Sequence, residues 1–220
     1  MTNSAVEKRP PDPAQGVPRW PAIVAMFAIA GLLALVSDRL RVVPFWLPLA
    51  VILVLTVAIE IAILRERHDW RRRIAFVGLG ITTLLIASSV VLLVQQLLAG
   101  AVEPNVLLFG AAAIWVANCG VFAVWYWEMD GGGPAMRRRD GHVSSDFLFP
   151  QLQIGDGKSS GGWWPGFLDY LFVAWNASTA FSPTDTLILS QRAKVLMMIQ
   201  SLMSLVTIAV LAARAINTLR

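Results

Sequence analysis

Glu60 is the one ionisable residue within the apolar run LPLAVILVLTVAIEIAIL. A carboxylate in such a run is costly to bury alone, so it needs a counter-ion or contact with water. One interpretation makes Glu60 a proton or cation site. The other pairs it with Arg65 or Arg214, or lets it reach the lipid headgroups. We favour the second, because Glu60 lies about one turn from the end of its predicted helix.

Amides and hydroxyls form a second group of candidates near the middle of two predicted helices. Asn118 lies on one of them, while Asn176, Ser178 and Thr179 lie together on the other, with Asp185 shortly after. Such groups are typical of the floor of a polar cavity, or of helices joined by hydrogen bonds, and the second use is the more common. We therefore predict that both asparagines donate hydrogen bonds across helices.

Polar side chains also recur along one stripe of the last predicted helix, at Gln200, Ser201, Ser204 and Thr207. A channel wall and a close helix contact have the same pattern, and the close contact is the more common explanation. Near the ends of the last two predicted helices, Asp169 and Arg214 are expected to take part in ion pairing.

Several familiar catalytic and metal-binding signatures do not occur in the sequence. His68 and His142 have no Cys or second His at ligand spacing, and the chain contains neither a GxxxxGK[ST] phosphate loop nor a GxSxG elbow. We expect no metal and no cofactor, and we predict that the protein is not an enzyme. Nucleic acid is not an expected partner, because the basic residues lie beside apolar segments and form no continuous basic face.

Composition identifies the elements that position these residues. Of the 220 residues, 56% are hydrophobic and 15% are charged, with a mean hydropathy of +0.63. The apolar residues form blocks close to the roughly 20 residues that cross about 30 Å of hydrocarbon. Such blocks have to be helical, because hydrocarbon offers backbone polar groups no other partner. The sequence predicts an all-α, polytopic bundle of six transmembrane helices.

We predict the following organisation along the chain. Residues 1–18 form a disordered cytoplasmic tail, 19–127 hold helices one to four, 128–162 form a cytoplasmic loop rich in glycine and charge, and 163–220 hold helices five and six. The predicted helices cover 20–36, 44–64, 74–98, 106–127, 163–181 and 193–218.

The eighteen Lys and Arg residues predict the orientation. With six crossings, fourteen lie on the side of the N-terminus and four on the opposite side. Positively charged loops stay in the cytoplasm, so both termini are expected there, in a multi-pass protein of a bacterial inner membrane. A re-entrant fifth helix is the alternative, and it would change the parity. The bilayer is the expected partner, and a homo-oligomer through small residues of helices three and six is a further hypothesis.

The C-terminal third carries two resemblances, both in the segment WWPGFLDYLFVAWNASTAFSPTDTLILSQRAKVLMMIQSLMSLVTIAVLAARAIN. It resembles the end of a family of uncharacterised bacterial inner-membrane proteins, a likeness that extends back through VFAVWYWEMDGGG. More distantly, residues 169–217 are similar to the pore helix and inner helix of two-helix potassium-channel modules. A potassium filter needs glycine, whereas STAFSPTDT has none and contains Pro183, so this stretch does not form that filter.

Two functions are consistent with these observations. The first is a channel- or transporter-like protein for an ion or small solute, with a polar interior formed by Glu60, Asn118, Asn176, Ser178, Thr179 and Asp185. The second is a non-enzymatic membrane scaffold that binds a partner through the loop 128–162.

Overall fold

Helices make up most of this protein in its computed structural model, which describes residues 19–65, 68–139, 145–153, 163–179 and 185–218. The predicted disordered tail, 1–18, lies outside the described residues. In chain order the helices are α1 Trp20–Leu35, α2 Trp46–Leu64, α3 His68–Ala99, α4 Pro104–Met129, α5 Pro134–Arg139, α6 Pro150–Gln153, α7 Phe167–Thr179 and α8 Gln191–Thr218. Short 3-10 turns cover Asp38–Leu40 and Asp130–Gly132, and the two-residue strands are β1 Phe147–Leu148 and β2 Leu187–Ile188.

Five of the six predicted helices have close counterparts in α1, α2, α3, α4 and α8. The main difference among them is the start of α3, predicted at residue 74 and found at His68. The charged segment from His68 to Arg73 therefore forms the first turns of α3. Proline residues lie at the starts of α1 and α4, where a missing backbone N–H costs nothing.

The central helix of the bundle is α4, which is buried along most of its length. It packs against α1, α3, α7 and α8. Gly120 allows α1 to approach closely, because a Cβ atom at this position would lie 3.0 Å from Ile29 Cγ1. On the α3 side, Trp125 stacks on Phe76 and donates a 3.0 Å hydrogen bond from Nε1 to Thr83 Oγ1.

Three helical segments of the described chain are long and apolar enough to cross a membrane: Trp70–Ala99, Pro104–Gly132 and Gln191–Arg214. Two shorter apolar helices, Trp20–Leu35 and Trp46–Ala62, pack beside them. Large apolar side chains also face outward on the long helices, including Leu84 and Met198. A soluble protein rarely exposes so many large apolar side chains, whereas in a membrane protein they face lipid. The apolar helices therefore indicate an integral membrane protein.

Contacts with α4 define two ends of the bundle, the Asp130 end, where α4 finishes, and the Val102 end, where it begins. At the Asp130 end, the Asp130 carboxylate accepts hydrogen bonds from Asp146 N and from the hydroxyl of Tyr170, near the start of α7. Arg192, at the start of α8, forms an ion pair with Asp146. The other end of α8 reaches the Val102 end, where Arg214 Nη2 lies 3.4 Å from Val102 O.

The helices α7 and α8 consequently run in the same direction, from the Asp130 end toward the Val102 end. Their contacts advance together, since Ala174 and Ser178 on α7 meet Gln200 and Ser204 on α8. The antiparallel pair of Phe147 with Ile188 brings the chain back to the Asp130 end before α8 begins. Two consecutive helices that both crossed a membrane would run in opposite directions.

The prediction of six transmembrane helices is therefore not confirmed: three helical segments of the described chain are long enough to cross a membrane, and the predicted fifth helix runs parallel to the sixth. The fifth helix is predicted over residues 163–181. Among the described residues α7 covers the 13 residues Phe167–Thr179, and residues 180 and 181 lie outside the described part of the chain. At 1.5 Å per residue, the described part of α7 is about 20 Å long and α1, with 16 residues, is about 24 Å long, so both are shorter than the roughly 30 Å of hydrocarbon in a bilayer. The direction of α7, parallel to α8, is therefore what distinguishes it from a crossing helix.

Candidate functional site

The side chain of Gln200 lies at the centre of a buried polar cluster between α4, α7 and α8. Its Nε2 donates to Ala174 O at 2.6 Å and to Ser178 Oγ at 2.8 Å. Its Oε1 accepts a hydrogen bond from the hydroxyl of Tyr126. Gln200 and Tyr126 are both fully buried. Both ends of the Gln200 amide are therefore satisfied by neighbouring helices.

Further hydrogen bonds connect the same three helices around the last turn of α7. Ser204 Oγ donates to Ser178 O at 2.8 Å, and Trp115 Nε1 donates to the same carbonyl at 3.3 Å. Asn118 Nδ2 donates to Gln200 O at 3.2 Å, while its Oδ1 atom is buried with no hydrogen-bond partner. We call Asn118, Tyr126, Ser178, Gln200 and Ser204 the Gln200 network.

Two of the six predicted interior residues, Asn118 and Ser178, belong to this network. For Asn118, the predicted hydrogen bond across helices is confirmed. For Asn176 it is wrong, because Asn176 Nδ2 donates to Phe172 O in its own helix. Thr179 also bonds within α7, to Trp175 O and Asn176 O. A helix carbonyl four residues back is within easy reach of a short polar side chain, and it competes with partners on other helices.

The remaining predicted residues lie apart from the network. Asp185 is exposed, just before β2. Asp169 Oδ2 accepts a 2.6 Å hydrogen bond from Gly166 N at the start of α7, which is a capping contact. Arg214 lies at the Val102 end of the bundle. Asp169 and Arg214 are therefore at different ends, and they do not pair with each other.

Glu60 is exposed at the open side of a separate cavity of about 90 Å³ that lies between α1, α2, α3 and α4 near the Asp130 end. Four charged residues from these helices and their boundaries line it, namely Arg19, Glu60, Arg71 and Glu128. Most of the other lining side chains are apolar. We call this space, with its four charged residues, the charged cavity.

The charges in this cavity are close but incompletely paired. Arg71 Nη1 lies 3.8 Å from Glu128 Oε2, which is too long for a hydrogen bond. Both Arg71 Nε and Glu128 Oε2 are buried without a hydrogen-bond partner. Burial, followed by the nearby Arg71 guanidinium, lowers the pKa of Arg19, whereas Glu128 and Glu60 act in the opposite direction.

Pairing of Glu60 with Arg214, one of the alternatives for Glu60, is wrong. Glu60 lies beside Glu128, near the end of α4, whereas Arg214 lies beside Val102, before the start of α4. Within the described ranges, Glu60 has no ion-pair partner within 4.0 Å. Sequence reasoning placed Glu60 correctly near a helix end, but not the three charged residues that face the same cavity.

A third polar cluster, which sequence reasoning missed, fastens the Asp130 end. Arg137 is almost fully buried and donates from Nη1 to Trp127 O at 2.8 Å and to Asp130 O at 2.9 Å. Its guanidinium also lies over the rings of Trp127 and Tyr170. The sequence analysis predicts a loop for the charged run EMDGGGPAMRRR, although acidic and basic residues directly after an apolar helix are a signal of such a cluster.

This cluster also bears on the predicted contact loop 128–162. Asp146, Phe147 and Phe149 are buried against the bundle, so these residues do not offer a free surface for a partner. Residues 140–144 and 154–162 of the loop lie outside the described part of the chain. The geometry thus gives the scaffold hypothesis no specific support.

Comparison with known proteins adds no relative of this chain. No family model, no curated protein sequence and no solved structure matches it. The two resemblances of the C-terminal third therefore stay predictions.

Proposed function

We propose that this is a transporter- or channel-like membrane protein with five crossings, α1, α2, α3, α4 and α8, and a re-entrant half-helix, α7. The parallel directions of α7 and α8 support this topology. The alternating directions of the other helices support it as well. Arg19 at the start of α1 faces Glu128 at the end of α4, so these two helix ends lie on the same side. Likewise, Arg39 after α1 donates to Ala101 O after α3 at 2.9 Å.

The distribution of positive charge is the same for five crossings as for six. A re-entrant α7 moves Arg192 and Lys194 to the side of the N-terminus and moves Arg214 and Arg220 to the opposite side. The side of the N-terminus then again holds fourteen basic residues: Lys8, Arg9, Arg19, Arg65, Arg67, Arg71, Arg72, Arg73, Arg137, Arg138, Arg139, Lys158, Arg192 and Lys194. Under the positive-inside rule the N-terminus is cytoplasmic and the C-terminus is outside, in a bacterial inner membrane.

The observation that carries the transport proposal is the position of the carboxyl end of α7. The last described turn of α7 lies halfway along α4, where Ser178 O accepts hydrogen bonds from Trp115 and Ser204. At membrane depth, a helix end is tolerated where protein buries it or where it lines a water-filled path, and discontinuous helices of this kind form the midplane sites of many transporters. The carboxyl end of a helix also carries partial negative charge, which favours a cation.

Reporter fusions test the topology. A reporter after Arg220 is expected outside with five crossings and inside with six, so its activity decides between them. Reporters at residue 102 and residue 145 are matched controls, because both topologies put the first outside and the second inside. A cytoplasmic reporter at the C-terminus, with both controls as expected, would contradict the re-entrant arrangement.

Flux through liposomes tests the function. The purified protein is expected to pass a cation or small polar solute from a broad panel. We expect Asn118→Leu to reduce that flux about tenfold, the equivalent of losing one good hydrogen bond along the path. The matched control is Asn176→Leu, because that amide bonds only within its own helix. Vesicles that stay sealed to the whole panel would exclude the proposed function.

A further inference from the structure

The charged cavity has the features of a binding site that is independent of the Gln200 network. It lies where α1 and α3 begin and where α2 and α4 end, which is the level of the lipid headgroups in the proposed topology. Its volume of about 90 Å³ is several times the roughly 10–15 Å³ that one water needs on the same measure. A chain of a few non-hydrogen atoms therefore fits, and apolar wall residues such as Ile23, Ile52 and Leu79 suit a hydrocarbon portion.

The four charges of the cavity balance, two positive and two negative. An anion would meet Arg19 and Arg71 but would be repelled by Glu60 and Glu128. A simple cation would be attracted by Glu60 and Glu128 but repelled by Arg19 and Arg71. A group that carries both an ammonium and an acidic oxygen would satisfy all four residues, because its N–H groups donate to carboxylates and its oxygens accept from guanidinium groups.

The buried atoms that lack hydrogen-bond partners support the same ligand chemistry. Arg71 is only 9% exposed, yet its Nε atom has no hydrogen-bond partner, and neither has Glu128 Oε2. A charged pair that is buried without good hydrogen bonds is costly to the fold. Because Arg71 Nη1 and Glu128 Oε2 are 3.8 Å apart, too far for a hydrogen bond, neither charge is fully compensated by the other.

We infer that the charged cavity binds a zwitterionic group, a primary ammonium joined to an acidic oxygen group, on a molecule with an apolar portion. The ammonium lies between Glu60 and Glu128, and the acidic oxygens face Arg19 and Arg71. This group is present in the headgroup of an aminophospholipid and also in free zwitterions such as phosphoethanolamine. The inference does not require that the protein transports anything.

Binding of lipids with identical acyl chains tests the inference. The purified full chain in detergent is mixed with dioleoyl phosphatidylethanolamine, phosphatidylcholine or phosphatidylglycerol, and bound lipid is measured by native mass spectrometry. We expect phosphatidylethanolamine to bind about tenfold more tightly than the other two, because phosphatidylcholine lacks N–H donors and phosphatidylglycerol lacks the ammonium. Equal binding of all three lipids, or preference for phosphatidylglycerol, would overturn the inference.

Competition with free phosphoethanolamine then identifies the source of the ligand. Displacement of the lipid supports a site that recognises the zwitterion alone. Failure to displace it, with the lipid preference intact, supports a site that also requires the acyl chain.

Matched variants locate the site. Glu60→Gln should remove the preference for phosphatidylethanolamine, and because Glu60 is exposed, the variant should fold normally. Glu103→Gln is the control, since Glu103 is also exposed but lies at the Val102 end. A folded Glu60→Gln protein that keeps the full preference would count against the cavity as the binding site.

Discussion

The Gln200 network and the charged cavity are two polar regions in the same bundle, and they differ in how far their buried groups are hydrogen-bonded. Within the five residues of the network only Asn118 Oδ1 lacks a partner, whereas in the cavity atoms of charged groups do. In the network, Gln200 is completely buried and uses both ends of its amide to bind neighbouring helices. In the cavity, Arg71 and Glu128 are buried beside each other without forming a hydrogen bond. Satisfied groups hold helices in one arrangement, whereas unsatisfied charges keep the capacity to bind something else.

The largest expected effect is the loss of stability in a variant that removes the central amide of the Gln200 network. Gln200→Leu removes the Gln200 hydrogen bonds of the buried Tyr126 and Ser178 hydroxyls, so we expect a loss of about 3 kcal/mol in the free energy of unfolding. Tryptophan fluorescence during SDS titration in mixed micelles would measure it. Gln95→Leu is the control, since Gln95 is exposed and the change should stay within about 0.5 kcal/mol. Equal stabilities of the two variants would mean that the network does not hold the bundle together.

A smaller effect of opposite sign is expected in the charged cavity. The double variant Arg71→Met with Glu128→Leu replaces an imperfect ion pair by apolar groups, which should raise the free energy of unfolding by about 1 kcal/mol. The same titration measures it. Glu128→Leu alone should instead destabilise the protein, because it leaves Arg71 buried without a counter-ion. If the double variant is less stable than the unmodified protein, the ion pair stabilises the fold, and the contrast between the two regions is wrong.

The smallest effect tests how much stability a single hydrogen bond of the network contributes. Ser204→Ala removes one donor to Ser178 O, but Trp115 still donates to that carbonyl. We expect a loss of about 0.6 kcal/mol, the typical value for a single hydrogen bond between membrane helices. Thr207→Val is the matched control, because Thr207 bonds only to Met203 O within α8. A loss as large as that of Gln200→Leu would make Ser204 a second centre of the network.

Much of the fold could be predicted from the sequence, and the site only in part. The helix predicted over 20–36 is found as Trp20–Leu35, and the one predicted over 106–127 is found as Pro104–Met129. Asn118 and Ser178 were correctly expected in the interior, because a buried amide or hydroxyl on an apolar helix needs a partner. The partners themselves could not be predicted, since Gln200 and Asn118 are 82 residues apart in the chain.

The sequence by itself determined that this chain forms apolar helices of membrane type and where most of them begin and end. These properties are local, because every backbone hydrogen bond of such a helix is made within a few residues. Only the tertiary structure decided the direction of α7, since the basic residues divide fourteen to four in either topology. That direction depends on contacts between distant residues, Asp130 with Tyr170 and Asp146 with Arg192, which no local pattern encodes.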